Sequence, residues 1–160
     1  MIEYSQDQVL DNIDKAILQE LQTDGRVSNA ELARRVNLSP PAIHARLKRL
    51  EEQGFIRQYV ALLDREKVGY DMLCFVNMNL QLHQQEQIDT VRAAILDIPE
   101  VLECYSLTGE YDYLLKVAIR NRKDLERFVM HHLTKISGVH QVHTSIVLTE
   151  LKSTTALPIE

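Results

Sequence analysis

The chain has 160 residues, of which 45% are hydrophobic and 26% charged, and carries a formal net charge of −5. These proportions suit a globular protein with room for one large domain or two small ones. Two cysteines argue against a disulfide scaffold, and no apolar run approaches the roughly 20 residues that cross a bilayer.

The opening MIEYSQDQVLD has neither the basic nor the apolar stretch of a secretory signal, so a cytoplasmic protein is expected. Residues 11–23 read as a helix, with Asp11 as N-cap and an apolar stripe of Ile13, Ile17, Leu18 and Leu21. The aspartates Asp7, Asp11 and Asp14 read as its solvated, capped start, and Asp24-Gly25 stops it. Ser28 followed by Glu31 has the form of a capping box, opening a helix whose inner face is Leu32, Ala33 and Val36. Asn37 then falls where a left-handed conformation is needed. Ser39 is the next N-cap, and Pro40-Pro41 fit a first turn whose N–H groups have no helical partner. Ile43, Leu47 and Leu50 point inward, and Gly54 ends the helix.

Two capped helices joined this tightly form a helix-turn-helix, which places its second helix in the DNA major groove. The exposed arc of that helix holds Pro41, His44, Ala45 and Lys48, with Ser39 at its start. Pro41, His44 and Ala45 face base edges, and Lys48 reaches bases or phosphates. Arg34, Arg35, Arg46, Arg49 and Arg57 are expected on the phosphate backbone. The bland alternative is a basic, solvated helix face. Charge distribution favours DNA: from Arg34 to Arg57 there are six basic residues against two acidic ones, although from Asp64 onward acidic residues outnumber basic ones fourteen to ten. A local basic patch is what phosphates sense.

A short apolar strand is expected over residues 55–63, then a hinge at 64–71. From Met72 the pattern alternates with period two, predicting strands at 72–81, 101–108, 111–119 and 139–149. Ile88, Val91 and Ile95 mark one intervening helix; Leu125, Phe128, Val129 and Leu133 mark another. Each helix runs into a matching phrase, Ile98-Pro99-Glu100-Val101 and Ile136-Ser137-Gly138-Val139. The echo predicts two βαβ units, a ferredoxin-like βαββαβ module with helices on one face. Cys74 and Cys104 fall in these strands and read as buried thiols. Leu73, Phe75 and Val147 make the other face apolar as well, which predicts a second copy as cover.

Gly109-Glu110-Tyr111-Asp112 lies between two strands, where Gly109-Glu110 suits a two-residue primed turn. An amino-acid ligand needs an acceptor for its ammonium, donors for its carboxylate and an apolar wall. Asp112 suits the first need; Thr108, Thr144 and Ser145 suit the second, although Thr144 and Ser145 point to opposite sheet faces. The residues alone equally describe a hairpin whose Asp112 fixes its own turn. His131, His132, His140 and His143 diverge on their elements and do not suggest a metal site. Without a nucleophile elbow or a phosphate-cradling glycine loop, no enzyme is indicated.

The segments LDNIDKAILQELQTDGRVSNAELARRVNLSP, RLKRLEEQGFI and YVALLD resemble the DNA-binding domain of the leucine-responsive regulatory protein/AsnC family. SLTGEYDYLLKV and ISGVHQVHTSIVLTELK resemble that family's ligand-sensing module. The resemblance implies an α+β protein: a helix-turn-helix domain over 1–63, a hinge over 64–71, and an effector-binding and oligomerisation domain over 72–160. It implies dimers that assemble further, even to octamers, and an amino-acid effector such as leucine or methionine in place of any cofactor. It also puts the glycine-to-aspartate turn at the effector site between dimers, with Ser106, Thr108, Gly109, Glu110, Tyr111, Asp112, Thr144 and Ser145 as contacts. The expected activity is sequence-specific transcription regulation at a roughly palindromic operator. The competing expectation is a DNA-organising regulator of the same fold that needs no effector.

Overall fold

The computed structural model of the chain describes residues 9–81 and 85–160; Asp7 lies outside them. The chain divides into two units, Met1–Leu62 with Lys152–Glu160, and Leu63–Leu151. Residues 152–160, which the sequence assigns to the sensor domain, make their contacts with the helical unit, where Gln19 and Gln22 bond the backbone at Ile159 and Leu157.

The first unit comprises α1 (Asn12–Thr23), α2 (Asn29–Arg35) and α3 (Pro40–Glu52). Ile17, Leu32, Ile43 and Leu50 are fully buried at their junction. Asn37, at φ 56°, turns the chain between α2 and α3, a conformation asparagine tolerates better than most side chains. Two expectations change here. Asp14 is not solvated but buried, and it completes a capping box with Asp11. At α2 the Ser28 Oγ accepts from the Glu31 N–H at 3.2 Å, but the Glu31 carboxylate turns to Arg34 and Arg35. Two guanidiniums are stronger donors than one neutral backbone amide.

No strand forms over 55–63; residues 57–64 have no regular structure, and Tyr59, Val60, Leu62 and Leu63 are exposed. A lone strand leaves its backbone groups unpaired, and among the described residues of this unit no strand lies beside it. The expected hinge is a closed turn. Asp64 Oδ1 accepts from the Glu66 and Lys67 N–H groups, Tyr70 N–H reaches the Arg65 carbonyl, and the Arg65 guanidinium returns to the Tyr70 carbonyl.

The second unit holds β1 (Met72–Leu80), α4 (Gln85–Leu96), β2 (Val101–Ser106), β3 (Tyr113–Ile119), α5 (Arg122–Arg127), a π-helical turn (Phe128–Leu133) and β4 (Val139–Ile146). Its sheet runs β2-β3-β1-β4 with every neighbouring pair antiparallel, the ferredoxin-like order. Val91, Ile95, Phe128 and Leu133 pack on Cys74, Val76, Met78, Leu115 and Val117 to form the core. The sequence echo is a repeated turn: Ile98 N–H bonds the Ile95 carbonyl and Val101 N–H bonds that of Ile98, while Ile136 and Val139 repeat this with Leu133 and Ile136. The second helix is not uniformly α, for the Thr134 N–H reaches back five residues to Val129. Cys74 is buried, but Cys104 is exposed, since β2 is an edge strand. On the face away from the helices Leu73 and Ala118 are buried within the chain, Phe75 and Leu114 are half-buried, and Tyr105 is exposed.

Candidate functional site

The recognition surface is set by what α3 buries. Ser39 Oγ caps the helix through the Ala42 N–H, and Pro40 and Pro41 occupy its first two positions. With Ile43, Leu47 and Leu50 inside, Ser39, Pro41, His44, Ala45 and Lys48 are exposed together. Beside His44 and Lys48 lies a cleft of about 350 Å³, also lined by Asn29, Glu51 and Tyr59. The Tyr59 hydroxyl donates to Glu51 at 3.0 Å. Burial and the Glu51 carboxylate push that phenol up to about 12, so it stays a donor at neutral pH.

The arginines expected on phosphates already have partners in the chain. Arg34 and Arg35 hold Glu31, and Arg35 also reaches Glu20 at 2.7 Å. Arg46 bridges Asp11 at 2.6 Å and Asp14 at 2.7 Å, and Arg49 takes the other oxygen of Asp14. Asp14 is 1% exposed, so a buried carboxylate on α1 grips two guanidiniums one turn apart on α3. Arg46 and Arg49 thus orient the recognition helix, and at 25% and 46% side-chain exposure they still reach the surface. Arg57 is exposed. The Asp14 backbone N–H, and then Arg46, hold the Asp11 carboxyl below its usual range. Hydrogen bonds from Arg34 and Arg35 bring Glu31 down to about 2. Asp14 was legible in principle, since it lies three and four residues before Ile17 and Leu18 on the inward stripe.

The second candidate lies between β2 and β3. The connection is wider than a two-residue turn: Leu107 N–H donates to the Asp112 carbonyl at 2.9 Å, enclosing Thr108, Gly109, Glu110 and Tyr111. Gly109 has φ 130°, a region closed to most side chains. Asp112 anchors the loop to β1. Its N–H donates to the Met78 carbonyl at 3.0 Å and to Asn79 Oδ1 at 3.2 Å, while its Oδ2 accepts from the Leu80 N–H at 2.8 Å. These bonds fall where the β1–β4 register shifts at Asn79/Leu80, so the carboxylate stabilises an irregularity in the ladder.

Ser106, Thr108, Gly109 and Glu110 are exposed around this loop, and Tyr111 and Asp112 are half-buried. Thr144 pairs with Val76 on the helix-covered face, whereas Ser145 pairs with Phe75 on the other. The loop's neighbour on β4 is instead His143, whose ring stacks on Tyr111 with centroids 6.4 Å apart. A bare pattern of histidines carries no signal for that contact.

A helix-turn-helix followed by a sheet module with an exposed, anchored loop defines a class: DNA-binding regulators that carry a ligand-binding domain. Residues 10–57 match winged helix-turn-helix DNA-binding domains, and residues 73–157 match the Lrp/AsnC ligand binding domain. The chain is 38% identical over 151 residues to the leucine-responsive regulatory protein of Salmonella typhimurium, covering 94% of this chain and 92% of that one. It is 36% identical over 152 residues to the transcriptional regulator AzlB of Bacillus subtilis, covering 95% and 97%. A transcriptional regulator of Neisseria meningitidis in complex with L-Met superposes with a TM-score of 0.90 at 41% identity, covering 94% and 97%. The chain belongs to the Lrp/AsnC family of transcription regulators. It is a DNA-binding protein with a ligand-binding domain, not an enzyme, and among the described residues no helix is long and apolar enough to cross a membrane.

Asp14→Asn keeps the volume and removes the charge between Arg46 and Arg49. It should destabilise the helical unit by about 3 kcal/mol in urea unfolding, the low end for breaking a buried pair because both guanidiniums are partly hydrated; an unchanged midpoint refutes the clamp. Glu31 has a depressed folded value, so its contribution is complete above the unfolded carboxylate range and disappears as pH falls through about 2. Carboxyl-carbon NMR should find Glu31 still ionised at pH 3.5, and titration near the ordinary value of 4.5 contradicts the pairing.

Proposed function

We propose that two copies of this chain read a roughly palindromic operator in the cytoplasm and that a small aliphatic amino acid, methionine or leucine, adjusts the reading. The exposed row on α3, presented by a buried ionic clamp, is the observation that carries the DNA half. A two-fold dimer sets two such helices about one turn of DNA apart. His44 and Ala45, with Pro41, meet base edges, while Lys48, Arg57 and the outer edges of Arg34, Arg35, Arg46 and Arg49 meet phosphates. Pairing with carboxylates does not remove Arg34 and Arg35 from the interface, because exposed ion pairs are worth little and phosphates compete for them, while Arg46 and Arg49 keep their hold on Asp14 and offer only their exposed edges.

The exposed apolar groups Tyr59, Val60, Leu62, Leu63 and Tyr105 support association with further copies, as dimers and as higher assemblies up to an octamer. Effector binding is assigned to the loop after β2. Asp112 shapes it and, with Glu110, supplies carboxylates toward an ammonium; Ser106, Thr108, Thr144 and Ser145 offer hydroxyls to a carboxylate, and Gly109 lets the ligand approach the backbone. The L-Met complex of the Neisseria regulator supports an amino acid as the ligand class. Binding between dimers alters the spacing of recognition helices or the assembly equilibrium, and operator affinity follows.

His44→Ala should weaken operator binding by about 1–3 kcal/mol and relax sequence preference at its base step, whereas Arg57→Ala should weaken all DNA alike and reduce the salt slope by about 1. Operator titrations at several salt concentrations read both, and equal losses on specific and random duplexes remove His44 from readout. A thermal-shift scan of the twenty amino acids should single out methionine or leucine, because ligand at 100 times its Kd stabilises the native state by about 2.7 kcal/mol. Silence from all twenty leaves the effector-independent regulator as the answer.

A further inference from the structure

Two glutamines on α1, Gln19 and Gln22, stand one helical turn apart. Both bond the backbone of a distant segment. The Gln22 amide makes a reciprocal pair with Leu157, donating from Nε2 to the carbonyl at 3.0 Å and accepting the N–H on Oε1 at 2.6 Å. Gln19 Nε2 donates to the Ile159 carbonyl at 2.9 Å. The Ile159 side chain packs against the buried cluster of Ile17, Leu32 and Leu50, while that of Leu157 is 72% exposed.

We propose that this face of α1 is a receptor for an extended peptide, that its occupant is this chain's own Leu157–Ile159, and that the docked segment ties the DNA-reading unit to the sensor a second time. The chemistry fits a main chain rather than a particular sequence. A primary amide presents one donor and one acceptor side by side, matching the N–H and C=O of one extended residue. Pro158 has no N–H to leave unsatisfied, and it biases Leu157 towards the extended conformation before docking. One apolar anchor, Ile159, completes the contact.

The other covalent connection between reader and sensor runs through the irregular residues 57–63 and the turn at 64–70. From Val147 to Ala156 the chain has no regular structure apart from one bend, a run that spans at most about 34 Å. The docked strap therefore limits how far the reader can swing without fixing one pose. Narrower orientation raises the effective concentration of the second recognition helix once the first is bound. That consequence rests on the operator-reading proposal; the docking does not.

Amide hydrogen exchange on the full chain tests the docking without DNA or ligand. The Leu157 N–H should exchange at least tenfold more slowly than in an unstructured peptide, equally at low and high protein concentration. Gln22→Ala and Ile159→Ala should each return it to within about twofold of the free rate, while Leu157→Ala, which keeps the backbone bonds, should not. Free-rate exchange in the unmodified chain overturns the proposal, and protection lost on dilution overturns the assignment to the same chain in favour of a second copy. With the docking established, the Gln19→Ala/Gln22→Ala variant, checked for retained helicity, should bind the operator three- to tenfold more weakly with unchanged thermal-shift response to L-methionine. Unaltered operator affinity, measured where His44→Ala does weaken binding, overturns the tether's role and leaves the operator reading standing.

Discussion

The geometry of the DNA-reading unit depends on one buried carboxylate. Asp14 projects from the first turn of α1 into the interface with α3 and is met there by Arg46 and Arg49. Hydrophobic contacts alone leave the rotation of a short helix loosely determined, because Ile, Leu and Val side chains exchange places at small cost. An ion pair with a buried partner is directional and is costly to leave half-made. By holding two residues three apart on α3, Asp14 selects one rotation, and that rotation exposes Pro41, His44, Ala45 and Lys48 as a single row. The same carboxylate closes the capping box with Asp11, so the start of α1 and the roll of α3 are specified together.

Much of this was legible from periodicity. The three helices, the left-handed Asn37, the inward stripes and the order of the βαββαβ module all follow from spacing and turn chemistry, and the paired phrases at 98–101 and 136–139 correspond to the same bonded turn. What escaped was set by partners remote in sequence. Arg46 and Arg49 look like phosphate grips until α1 is packed beside them. Glu31 looks like half of a capping box until two arginines compete for it. Residues 55–63 have strand-like composition and no neighbouring strand among the described residues of their own unit, and composition cannot supply a ladder.

At the candidate effector site the difference is one of role. Asp112 has the right chemistry for an ammonium, and the same chemistry suits the N–H of Leu80 where the β1 ladder slips. The structure shows the second use directly. These roles are compatible, because a carboxylate that fixes the loop also fixes the position of Gly109, Glu110 and Tyr111. Tyr111 in turn lies against His143 on β4, so the loop is coupled to the strand that carries Thr144 and Ser145.

Two stretches of chain join the candidate effector loop's unit to that of the recognition helix. The turn at 64–70 is closed by its own hydrogen bonds, and the irregular residues 57–63 precede it. The segment beyond β4 is irregular until it reaches α1, so it transmits only a limit on distance. On the proposed reading, the strap sets how many orientations remain open to the reader between encounters with DNA. The proposed effector loop lies against β4 through Tyr111 and His143, and the strap begins where β4 ends. On that reading, regulation acts through the freedom the strap leaves the reader rather than on the reading surface itself, whose Asp14 clamp lies wholly within the helical unit.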